Sequence, residues 1–79
     1  MHKTRKIPFS VLVERLSAQV GAPLGMNHLA VLMHGWRKKY PGQAPEFHTL
    51  RMRKVKDGFP WLSYSEALLL EQYAGYKLV

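Results

Sequence analysis

The chain has 79 residues, with 12 Lys and Arg against 5 Asp and Glu, a formal net charge of +7, and no cysteine. One domain fills this length, and so small a domain commits most of its large apolar residues to a core, which leaves little room for a catalytic cavity. Lack of cysteine removes disulfide staples and thiolate metal sites, and 47% hydrophobic residues exclude a disordered tail.

An intracellular, reducing, cytoplasmic setting is expected. Residues 1–6, rich in Lys and Arg, are expected to form a flexible basic arm of a single domain spanning 1–79. The apolar stretch from Ile7 to Val13 is broken by Glu14 and Arg15 before it reaches signal-peptide length, and no later run approaches a membrane span. No membrane partner is therefore expected.

Phe9, Leu12, Val13, Leu16 and Val20 recur at helical spacing, so the first element is an amphipathic helix, with Pro8 suited to its first turn and Gly21 to its stop. Leu29, Leu32, Met33, Trp36 and Tyr40 repeat the pattern, with Asn27 as N-cap and Pro41-Gly42 as terminator. Gly35, inside this helix, costs about 1 kcal/mol relative to Ala and points to a close packing contact or an irregularity. The last turn carries Arg37, Lys38 and Lys39, which suit the negative end of the helix dipole even if nothing binds them.

The segment 45–56 reads two ways. Pro45 and Glu46 resemble a helix start, and Lys54, Lys56 and Gly58 a helix end. Against this, Leu50-Arg51-Met52-Arg53 alternates and Asp57-Gly58 is a hairpin signal, although Pro60 confines any following strand to an edge. Helix is the preferred reading. The last element has the clearest start: Ser63 and Glu66 form an S-x-x-E capping box with Leu62 and Ala67 as a hydrophobic staple, and Gly75 closes the helix. The apolar tail, 76–79, is expected either to pack back on the core or to meet a partner. The fold expected is an all-α, helix-turn-helix-like bundle of about four short helices, with an α+β fold carrying a small hairpin around Asp57-Gly58 as the alternative.

Seven basic residues (Arg37, Lys38, Lys39, Arg51, Arg53, Lys54 and Lys56) fall between positions 37 and 56, opposed there only by Glu46. Such clustering is the footprint of a polyanion binder, against which stands the plainer reading of a solvated face. With His48 and Thr49 as further polar donors, these residues form the candidate nucleic-acid surface. Arg suits guanine edges through its bidentate fork, whereas Lys54 and Lys56 suit phosphate.

From Gly58 onward the chain resembles the end of the phage Cro and CI repressor-like helix-turn-helix families. In those families the recognition helix closes on a glycine and a short proline-containing loop leads into a last helix shaped like Leu62-Ser63-x-x-Glu66-Ala67-x-x-Leu70-Glu71. Leu29-Ala30 followed by Gly35 is similar to the family's second helix, but 36–44 replaces the tight turn that should follow the glycine. The resemblance covers the last third of the chain. It implies a phage or prophage type DNA-binding transcriptional regulator, acting as a homodimer because one small module reads few base pairs.

A second reading is a protein-binding modulator, such as an antirepressor or an inhibitor of a host factor, with Phe59, Trp61, Tyr64, Tyr76 and Leu78 as contact residues. For Trp61 a place in the core is preferred. RNA binding is expected only if 49–55 is a strand with stacking aromatics nearby. Catalysis is not expected, since the acids are scattered and no phosphate loop or nucleophile set is present. His2, His28, His34 and His48 lack metal-ligand spacing, so neither a metal nor another cofactor is expected.

Overall fold

A computed structural model describes residues 5–79. It contains four helices, α1 (Phe9–Val20), α2 (Met26–Lys39), α3 (Phe47–Asp57) and α4 (Tyr64–Ala74), and two short strands, β1 (Lys6–Pro8) and β2 (Trp61–Ser63). The strands pair antiparallel, with Ile7 opposite Leu62. The fold is thus mostly helical with a small sheet, which fits the α+β alternative better than a pure all-α bundle. Asp57 ends α3, Gly58 takes the left-handed conformation (φ 87°) that stops it, and β2 follows three residues later.

Proline chemistry explains why the sheet is so short. Pro8 has no N–H to continue a ladder, and its fixed φ of −63° makes it the residue from which α1 starts. The Phe9 N–H donates to the Pro60 carbonyl and the Tyr64 N–H to that of Arg5, so each strand passes directly into a helix. The central residue of each strand, Ile7 and Leu62, is buried. Lys6 therefore belongs to β1 rather than to a flexible arm, and residues 1–4 of the expected arm lie outside the described residues.

The core is one cluster. Leu12 and Leu16 of α1 meet Leu29, Met33 and Trp36 of α2, Ala67 and Leu70 of α4, and Leu78 of the tail. The close approach expected at Gly35 is present, because a Cβ there would lie 2.5 Å from the Tyr73 hydroxyl of α4. Gly25, not Asn27, caps α2: the helix begins one residue before Asn27, and the Gly25 N–H donates to His28 Nδ1 at 3.0 Å. His28 thus returns a bond from the third helical position, as Glu or Gln does in a capping box.

At α4 the expected box forms in full. Ser63 Oγ accepts from the Glu66 N–H at 3.2 Å, the Glu66 carboxylate accepts from the Ser63 N–H at 2.9 Å, and Leu62 and Ala67 are both buried. The tail packs back, with Leu78 fully buried and the Leu78 and Val79 N–H groups donating to Glu71. Among the described residues no helix is long and apolar enough to cross a membrane.

A candidate nucleic-acid interface on α3

The segment 47–57 is helical, so the strand on which the RNA reading depended is absent from it. Helical rotation of 100° per residue turns Leu50, Arg53 and Asp57 to one side, and these three anchor α3. Leu50 is its one buried residue, and the helix packs chiefly against β2. Its other attachments are polar. Arg53 donates from Nη1 and Nη2 to the two oxygens of Glu66 at 2.8 and 3.0 Å, and from Nη1 to the Trp61 carbonyl at 3.0 Å. Asp57 accepts from Trp61 Nε1 at 2.7 Å and pairs with Lys6 at 3.4 Å.

Trp61 is half-buried rather than enclosed by the core. Its ring lies under the Arg53 guanidinium, 4.2 Å from the centroid, with the Lys6 ammonium at 5.2 Å. The indole N–H holds the Asp57 carboxyl below its ordinary pKa, burial opposes this, and Lys6 and Lys56 add to the lowering. Burial pushes Glu66 up, but the hydrogen bonds from Arg53 and the Ser63 N–H outweigh it and leave that carboxyl lowered. Both anchoring acids thus stay charged and satisfied at neutral pH.

The remaining candidates divide by what they touch. Arg37 spends Nε on the Pro45 carbonyl at 3.2 Å, bracing the segment 40–46 that links α2 to α3. Lys38 and Lys39 are exposed, with Lys39 over the Tyr40 ring at 5.6 Å. Arg51, Lys54 and Lys56 are exposed and make no ion pair among the described residues, and His48 and Thr49 are exposed beside them. Five candidates thus share one projecting helix, while Arg53 and Arg37 hold the fold together.

Sequence reasoning missed the apolar half of this surface. Phe47, Met52 and Val55 are 71%, 51% and 73% exposed. For Met52 and Val55 the spacing from Leu50 is the signal that could have found them, since neither shares its face, whereas Phe47, three residues before Leu50, lies toward its side and no spacing marks its exposure. Two grooves flank α3. One, of about 620 Å³, is lined by Met26 and Ala30 of α2, Phe47, Arg51 and Lys54 of α3, and Phe9 and Pro60. The other, of about 490 Å³, runs along Lys6 and Trp61 on one side and Thr49, Met52 and Lys56 on the other.

Of the residues named as protein contacts, Phe59, Tyr64 and Tyr76 are exposed. Leu78 is not available as one: it is enclosed by the core, and its carbonyl accepts from the Arg15 guanidinium. Among the described residues no three His, Cys, Asp or Glu side chains come together as a metal site. No family model, curated protein or solved structure matches the chain.

Proposed function

We propose that the chain is a small DNA-binding transcriptional regulator of phage or prophage type, with α3 as the helix that enters the major groove. The observation that carries this reading is the way α3 is held. One buried leucine and two ion pairs fix it from a single side, so that Arg51, Lys54 and Lys56 point outward and form no ion pair among the described residues. A helix is the element that fits the major groove, and Arg, Lys and backbone groups grip phosphates while side chains at its centre meet base edges. Arg51, mid-helix, is the candidate for a guanine edge, with His48 and Thr49 as further donors. Val55 and Met52 supply apolar contact of the kind that thymine methyls accept. Lys54 and Lys56, near the end of the helix, suit phosphate.

The test is binding to duplex DNA at several salt concentrations, for the parent and for Lys54→Ala with Lys56→Ala. The parent should bind with a steep negative salt slope, and the double variant should lose about one unit of slope for each phosphate contact removed. Absence of binding even at low salt overturns the reading.

Exposure of Phe47, Met52 and Val55 on the same helix favours a second reading, that of a protein-binding modulator without catalytic activity.

A further inference from the structure

We infer that the groove between α2 and α3 is a docking site for an acidic, apolar-anchored peptide segment of another protein. Its walls are Met26 and Ala30 on one helix and Phe47 on the other, with Phe9 and Pro60 contributed by neighbouring segments. Met26 and Phe47 are large and remain 48% and 71% exposed. Large apolar side chains facing each other across two helices are what helix-in-groove recognition uses, and about 620 Å³ lies in the range that admits bulky side chains. The charged residues lining the groove are Arg51 and Lys54, and no described residue lining it is acidic.

This pairing of apolar walls with cations decides between occupants. A second copy of the chain would set Arg51 and Lys54 against a molecule of the same +7 charge. The chain's own first residues, Met1-His2-Lys3-Thr4, bring a cation rather than an anion. Duplex DNA would answer Arg51 with a guanine edge and Lys54 with a phosphate but leave Met26, Ala30 and Phe47 facing sugar and solvent. A segment with Leu, Phe or Trp at helical spacing and Asp or Glu between them satisfies both parts, seating its apolar face between α2 and α3 and its carboxylates on Arg51 and Lys54. Because Arg51 and Lys54 also belong to the proposed DNA surface, such a segment and DNA exclude each other. The docking proposal itself stands whether or not α3 binds DNA.

Three fluorescein-labelled synthetic peptides test it by anisotropy with the intact chain. The first is an amphipathic sequence with Leu and Phe at i, i+3 and i+7 and Glu or Asp elsewhere. In the second, Lys replaces the acids, and in the third, Ser replaces the apolar residues. Only the first should bind, and Ala30→Glu and Phe47→Ala should each weaken it by about tenfold or more. Ala30 and Phe47 are exposed, so both variants should keep the parent's circular dichroism and melting temperature. Failure of the acidic peptide to bind overturns the proposal, as does equal binding of the Lys peptide or indifference to both substitutions. Sedimentation that shows a dimer of the free chain, split by Ala30→Glu, also overturns it, by giving the groove to a second copy. The DNA reading is judged separately, by the salt slope and by Lys56, which lies on the other flank of α3.

Discussion

The Arg53 guanidinium grips both carboxylate oxygens of Glu66, and the same carboxylate closes the capping box of α4 by accepting from the Ser63 N–H. One acid therefore ties α3 to the start of α4. Arg53→Ala should destabilise the fold by about 2–3 kcal/mol in urea unfolding, because it strands a half-buried carboxylate as well as releasing α3. Arg51→Ala, two residues earlier and exposed, should stay within about 0.5 kcal/mol of the parent. In DNA binding the order should invert, with Arg51→Ala weakening sequence discrimination while the folded fraction of Arg53→Ala retains it. Equal effects of the two substitutions on stability would contradict this division of labour.

Acid should unfold the protein through three carboxyls. Glu66, Asp57 and Glu71 are all held below their ordinary values, Glu71 by the N–H groups of Leu78 and Val79. A carboxyl whose pKa is lower folded than unfolded contributes stability that is fully present above its unfolded value and is lost as pH falls through the folded one. The melting temperature should thus be flat near neutrality and drop below about pH 4. Glu66→Gln should start lower and fall less steeply over that window. A variant curve parallel to the parent's would show that Glu66 is not among the groups titrating.

Close contact between α2 and α4 gives a rescue experiment. Gly35→Ala places a methyl 2.5 Å from the Tyr73 hydroxyl but 3.6 Å from the ring carbon that bears it. The first distance is a clash and the second an ordinary contact. Gly35→Ala alone should be destabilising by about 1–3 kcal/mol from overpacking, despite the gain of about 1 kcal/mol in helix propensity. In a Tyr73→Phe background the same change should be neutral or stabilising, since the obstructing oxygen is gone. Thermal melts of the four proteins complete a double-mutant cycle, whose coupling should exceed about 1 kcal/mol.

The four helices were legible wherever a stripe of large apolar residues or a cap pair marked them, as Leu12 and Leu16 mark α1 and Ser63 with Glu66 marks the start of α4. The strands were not, because three residues are too few to establish an alternation and β1 finds its partner 53 or more residues away. In α3 a single buried leucine left no stripe to read. What holds that helix is polar, Arg53 and Asp57 acting as inward-facing residues, and charge in a sequence does not say which side it faces. The same ambiguity makes Arg53 and Arg51 look alike in the sequence, although one braces the fold and the other projects. Exposure of Phe47 and Val55 was likewise hidden, since apolar residues are expected inside unless the helical phase is known.

The tail gives the last prediction. Leu78 is fully buried, and the bonds around it are mutual: Gln19 donates to the Lys77 carbonyl and accepts from the Lys77 N–H, both at 2.6 Å, while Glu71 takes the next two N–H groups. Gln19 and Glu71 can reach these backbone groups only while Leu78 is seated, so the apolar anchor and the polar clasp form one unit. Leu78→Ala should cost about 2–4 kcal/mol, a large share of what so small a domain possesses. Because the unit detaches as a whole, adding Glu71→Ala to Leu78→Ala should cost little more than Leu78→Ala alone. Urea denaturation of the two single variants and the double reads this directly. Strict additivity would mean that Glu71 still holds the tail after the leucine has gone, and that docking rests on the backbone bonds instead of the buried side chain.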